Sequence, residues 1–186
     1  MEPEIDVQLD RAEDCWVTAL ERVRLEDLDR ESGCSKWSNR ELINHVVGGG
    51  LRYAKLLAQA PPTEVESTRR VDHLGADLTE SFWTHERIFR TIAGDCDLMV
   101  EVPHRIGRLP GTQLVRMRIL ELALHAADLS RGMALQWPID DTLAEFMSTQ
   151  LSDLIIELGS TGGYAPPRTP AAQMSHAQQV LQISGR

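Results

Sequence analysis

Apolar positions recur at three- and four-residue steps along most of this chain, the period of one face of an α-helix. In "EIDVQLDRAEDCWVTALERVRLEDLD" the stripe is Ile5, Leu9, Ala12, Trp16, Ala19 and Val23. A break follows at "RESGCSKW". "SNRE" then has the pattern of a capping box, Ser38 capping and Glu41 reaching back to the freed backbone donor. It predicts a second helix with Leu42, Val46, Gly49, Tyr53 and Leu56 on the apolar side, ending before Pro61. A third helix is expected over roughly 71–93, on Leu74, Leu78, Phe82, His85, Phe89 and Ile92, stopping at Gly94. "CDLMVEVPHRIGRLPG" is too broken by Gly and Pro for a helix, and "LMVEV" reads as a short strand or an extended crossing. A fourth helix is expected over about 112–131, ending near Gly132, and "DDTLAEFMSTQLSDLIIELG" reads as a fifth, closed by Gly159. The Gly- and Pro-rich tail from Ser160 gives way to "SHAQQVLQISGR", a candidate for one last short helix.

Four or five such helices with one long crossing connection predict an all-α helical bundle. Helices one to four should form its core, with the fifth helix and the tail packed outside. There is no repeat and no low-complexity block, so residues 1–186 read as one domain with 160–186 as an extension.

The formal net charge of −9 and the lack of a dense basic stretch argue against nucleic acid or an anionic membrane as partner. Arg105, Arg108, Arg116 and Arg118 form the richest basic region, which reads as a solvated helix end. No run approaches a membrane span, and "MEPEIDVQLD" has neither the basic start nor the apolar core of a signal peptide. Cys15, Cys34 and Cys96 are odd in number, widely spaced and without a CxxC pair. They read as reduced structural thiols, and a cytoplasmic setting is expected.

Against this background "ELALHAADL" stands out. Glu121 and His125 lie four residues apart, one above the other on one helical face, inside an apolar run. A buried unpaired carboxylate costs several kcal/mol, so an inward Glu121 needs a cation or strong donors. On the second helix, His45 leans on the apolar face between Leu42 and Val46. Two imidazoles and a carboxylate are the ligand types of an open metal site. The plainer reading of the same spacing is a pair of hydrogen-bonded core histidines, because E-x-x-x-H is common in helices.

"CSKWSNRELINHVVGG" resembles the start of the second helix in the mycothiol-dependent maleylpyruvate isomerase family, a branch of the DinB/YfiT-like superfamily. "VPHRIGRLPG" followed by "ELALHAADLSRGM" resembles that family's later signature, and "GGYAPPRTPAAQMSHAQQVLQISGR" the C-terminal extension of one branch. The resemblance implies a DinB/YfiT-like four-helix bundle with His45, Glu121 and His125 as metal ligands. Two departures accompany it. Ala126 and Ala127 stand where family members often carry an aromatic, and the isomerases' second, C-terminal domain has no counterpart within these residues, so a single-domain member is expected.

The resemblance further implies a divalent metal, zinc first and nickel, iron or manganese as other occupants. It implies a low-molecular-weight thiol such as mycothiol as nucleophile, used in thiol transfer to a small electrophile or in cis–trans isomerisation. A homodimer is compatible with it. Two other classes stay open at this point: a metal-binding bundle without catalysis, and a metal-dependent hydrolase. Asp128 is placed either to bond a ligand imidazole or to pair with an arginine. His104 is placed to line the mouth of the site and move protons, its plainer reading being a loop histidine in solvent. His73, His85 and His176 read as structural. "GGGLRYAK" reads as close helix packing rather than a phosphate loop, and Trp37 as a staple onto the bundle.

Overall fold

Each long apolar stripe becomes a helix. The computed structural model describes residues 1–186 except 35–36, 105, 163–164 and 171–172. In chain order the elements are α1 (Pro3–Leu20), α2 (Asn39–Leu57), α3 (Pro62–Ser67), α4 (Leu78–Asp95), β1 (Glu101–His104), β2 (Gly107–Pro110), α5 (Gly111–Gly132), α6 (Asp141–Gln150), α7 (Ser152–Ser160) and α8 (His176–Ile183). α1 packs along α5, and α2 lies between α4 and α5, which makes the four-helix core. Leu9, Trp16, Leu42, Phe82, Phe89, Leu114, Leu120 and Leu124 fill it, all without solvent exposure. α6 leans on α1 from outside and holds α8, whose Val180 and Ile183 are buried. Among the described residues no helix is long and apolar enough to cross a membrane.

The capping box opens α2 as expected: Ser38 N donates to Glu41 Oε2 at 2.8 Å and Glu41 N to Ser38 Oγ at 3.3 Å. Other boundaries differ from the periodic reading. α1 stops at Leu20, and Val23 reaches the core from the following loop. The third long helix begins at Leu78, because Asp77 caps it by accepting from Glu80 N at 2.9 Å. Leu74 packs against the core from the loop before it, while α3 and a 3-10 turn at Thr68–Arg70 occupy the earlier stretch. The crossing segment is a hairpin in which Val102 faces Leu109 and His104 faces Gly107. The fifth helix is two, since Leu151 (φ −115°, ψ 5°) leaves helical geometry between α6 and α7.

The glycines of α2 lie where other helices come closest. A Cβ on Gly50 would sit 2.8 Å from the backbone of His85 in α4, and one on Gly49 would sit 2.3 Å from Arg118 Nη1 in α5. Close packing is therefore their role, and it brings α2 and α5 near enough to share a site.

Candidate metal centre

Leu114, Arg118, Glu121 and His125 form one stripe of α5, turned toward α2. His45 Nε2 lies 3.1 Å from Glu121 Oε1. The other oxygen, Oε2, accepts from Arg118 Nη1 at 2.6 Å. Arg118 also donates to Glu86 of α4 and, at 3.2 Å, to the Val46 carbonyl, and both Arg118 and Glu86 have 0% side-chain exposure. Burial by itself would raise the pKa of Glu121. The hydrogen bond from His45 and the charge of Arg118 outweigh it and hold the carboxyl well below the usual range. Burial lowers the pKa of His45 by more than Glu121 restores, which favours neutral imidazole, the form that binds metals.

One turn further along α5, His125 Nδ1 lies 3.0 Å from Asp128 Oδ2. An ionised Asp128 can only accept, so Nδ1 carries a proton, and in the neutral ring the lone pair is then on Nε2. Arg186, at the end of the described tail, grips Asp128 in a fork, Nε to Oδ1 at 3.0 Å and Nη2 to Oδ2 at 2.9 Å. Burial works to raise the pKa of Asp128, and the bonds from His125 and Arg186 bring it well below the usual carboxylate range. Asp128 thus fills both roles considered from sequence, orienting an imidazole and pairing with an arginine.

These groups line a cleft of about 850 Å³. The rings of His45 and His125 are 5.3 Å apart, centre to centre, in an edge-on arrangement. Trp37 forms a wall beside them, 4.6 Å from His45 and 6.1 Å from His125. The donor set suits a divalent ion: a neutral imidazole, an ionised carboxylate, and an imidazole whose far nitrogen is fixed by a carboxylate. Among the described residues, Cys34, His125 and Asp128 are the group whose ligand atoms lie within 4.8 Å of one another. Their chemistry is that of a hydrogen-bond network. Both oxygens of Asp128 are engaged, and Cys34, its thiol pushed up to about 12 by burial and then by Asp128, lies 3.4 Å from Oδ2 as a donor.

The structure thus brings His45 onto Glu121 and sets the ring of His125 beside that of His45, while the ligand atoms of the three do not all lie within 4.8 Å of one another. His104, closing β1, is half-buried and lines the cleft rather than standing in a solvent loop. Trp37 packs on the core but is also part of the cleft wall, and Cys34 bonds a site residue. Arg118, read as part of a solvated helix end, is fully buried; Arg105, of the same region, lies outside the described residues. His73 and His85 stack edge-on at 4.9 Å, bonded to the carbonyls of Thr68 and Ser81. His176 is exposed and meets Ser148. Sequence reasoning missed Glu86, Arg118 and Arg186. The spacing of Arg118, three before Glu121 within the apolar stripe, was the one available signal.

Residues 9–130 match the family model described as the mycothiol maleylpyruvate isomerase N-terminal domain. Two proteins of Mycobacterium tuberculosis, one from strain H37Rv and one from strain CDC 1551 / Oshkosh, both described as uncharacterized, are 28% identical over 134 residues. That stretch is 72% of this chain and 70% of theirs. The fold is also that of crystal structures of the mycothiol-dependent maleylpyruvate isomerase, one of them a histidine-to-alanine mutant. Their TM-scores are 0.63 for the mutant and 0.61 for the other, at 15% and 16% identity, over 83% of this chain and 72% of each of theirs. The match covers most of α1 and runs on to α5, and so includes α2, α4 and α5, which carry His45, Glu86, Glu121 and His125: the chain belongs to the mycothiol maleylpyruvate isomerase N-terminal domain family.

Proposed function

We propose that this chain is an enzyme that holds a divalent metal, zinc first, through His45, Glu121 and His125. With a low-molecular-weight thiol such as mycothiol it acts on a small electrophile, by thiol transfer or cis–trans isomerisation. The observation that carries this reading is the support given to each donor: Asp128 fixes the tautomer of His125, and Arg118 keeps Glu121 ionised in an apolar interior. A metal bound there supplies Lewis acidity, which favours the thiolate of a thiol at neutral pH. The names of the related isomerases support the choice of thiol.

The residues of the chain have separable tasks. Glu121, whose Oε1 lies against His45 Nε2, would give that oxygen to a bound metal while Oε2 stays on Arg118. His125 presents Nε2, which makes no hydrogen bond to another described residue, because Asp128 and Arg186 lock Nδ1. Trp37, Leu56, Val65 and Met117 give the cleft an apolar wall, which excludes water from a bound electrophile. His104 is placed at the cleft to hold or pass a proton.

The test is turnover of an electrophile by the metal-loaded protein with and without mycothiol. Thiol-dependent turnover that falls on chelation and is abolished in His125→Ala is expected. Equal rates with and without thiol would overturn the thiol reading, and full activity after chelation would overturn the metal.

A further inference from the structure

The two histidines of the cleft are held in different ways. His125 is tethered through Nδ1, which bonds Asp128 at 3.0 Å and leaves Nε2 to the cleft. His45 has no such tether. Among the described residues its ring has one hydrogen bond, from Nε2 to Glu121 Oε1 at 3.1 Å, and nothing holds its Nδ1. Nε2 cannot donate to a carboxylate and coordinate a metal at once, because both use the same position of the ring. The bond that orients His45 is therefore given up when the ring binds an ion. The χ2 torsion of histidine is intrinsically broad, so neighbours have to set the ring's orientation. What remains against this ring is aromatic. The indole of Trp37 lies 4.6 Å away, centre to centre and tilted by 38°, and His125 meets the ring edge-on at 5.3 Å.

Trp37 is itself held by its backbone. Ser32 donates to its carbonyl from N at 3.0 Å and from Oγ at 2.8 Å, and Trp37 N donates to the Cys34 carbonyl at 3.0 Å. The same loop is fixed to α5 beside Asp128, where Gly33 N donates to the Asp128 carbonyl at 2.8 Å. The approach is close: a Cβ on Gly33 would sit 2.8 Å from the Asp128 Cα, and one on Gly132 would sit 2.8 Å from the Ser32 Cα.

We infer that Trp37 is a positioning residue, whose indole keeps the His45 imidazole in its ligating orientation once the bond to Glu121 is released. As a statement about a metal ligand this rests on the function proposed above. Stacking makes no demand on either ring nitrogen. The imidazole can therefore carry its proton on Nδ1 and free Nε2 for coordination without losing its support. The role needs a flat aromatic face, because an aliphatic side chain of similar bulk gives contact without orientation.

The experiment compares Trp37→Phe, which keeps a flat ring, with Trp37→Leu, which does not, in the intact chain. In metal-free protein, Glu121→Ala stands for release of the bond to His45. Imidazole carbon relaxation measured by NMR should report a rigid His45 ring in Glu121→Ala, alone or with Trp37→Phe, and a mobile ring when Trp37→Leu is added. Cobalt(II) titration should then give Trp37→Phe close to the wild-type affinity and Trp37→Leu an affinity lower by about tenfold. A His45 ring that stays rigid in Glu121→Ala with Trp37→Leu would overturn the assignment. So would equal cobalt affinity in the wild type and Trp37→Leu, or an equal loss in Trp37→Phe and Trp37→Leu. A wild type that binds no cobalt would count against the proposed function, and the metal-free comparison decides the role of Trp37 on its own.

Discussion

Arg90 and Arg118 each gather carboxylates from neighbouring helices, one at the outer edge of the bundle and one at its centre. Arg90 of α4 spends its donors on α1, with two bonds of 2.7 Å to Glu13, one of 2.7 Å to Asp6 and a further one to Asp10. Asp6 and Asp10 are half or more exposed, so this network ties two helices together at the surface. Arg118 joins α5 to Glu86 of α4 in full burial and leaves Glu121 one oxygen free for His45. The same ion-pair chemistry staples helices at the edge and, at the centre, keeps a carboxylate ionised where a cleft opens beside it. Position rather than partner type separates a structural network from a site.

The largest effect expected from breaking that contrast is at the centre. Arg118→Met leaves Glu86 and Glu121 buried without their cation and should lower stability by about 3–5 kcal/mol in chemical denaturation. Asp128→Asn takes the ionised acceptor from His125 and Arg186, and metal titration should show affinity lower by roughly 10–100-fold with the fold intact. Gly49→Ala removes no charge but places a methyl 2.3 Å from Arg118 Nη1 and 2.8 Å from Glu121 Oε2. A net loss of about 1–3 kcal/mol is expected, in spite of alanine's better helix propensity.

The smallest effect is at the edge. Glu13 is pushed up to about 7, chiefly by burial, and can take a proton when its partner is lost. Arg90→Ala should therefore cost only about 1 kcal/mol at pH 6. A raised carboxyl pKa means that the stability tied to the proton is complete below the ordinary value and is lost as pH climbs through about 7. The cost of Arg90→Ala should grow between pH 6 and pH 8. A cost independent of pH would show that Glu13 stays ionised.

Much of this was legible in the chain, and the exceptions have physical reasons. α2 and α5 were readable from end to end because capping and periodicity agree there, Ser38 with Glu41 and the stripe from Leu114 to His125. The start of α4 was misplaced because Leu74 has the spacing of a helical residue while packing from a loop, and the cap at Asp77 is the stronger signal. The break at Leu151 was invisible because apolar spacing continues across it. At the site, His45, Glu121 and His125 could be named because they interrupt apolar stripes. Glu86 and Arg186 could not, because their roles depend on pairing between parts of the chain that only folding brings together. Arg186 lies 58 residues from Asp128, beyond the reach of any local pattern.

The central claim is that His45 and Glu121 join His125 around one metal. It is tested most directly by metal content and X-ray absorption on the wild type beside His45→Ala and Cys34→Ser. One ion per chain is predicted, with nitrogen and oxygen donors at about 2.0–2.2 Å if zinc is bound. The ion should be lost in His45→Ala and retained in Cys34→Ser. Retention in His45→Ala together with loss in Cys34→Ser, and a sulfur donor at about 2.3 Å, would contradict the account and move the centre to Cys34, His125 and Asp128.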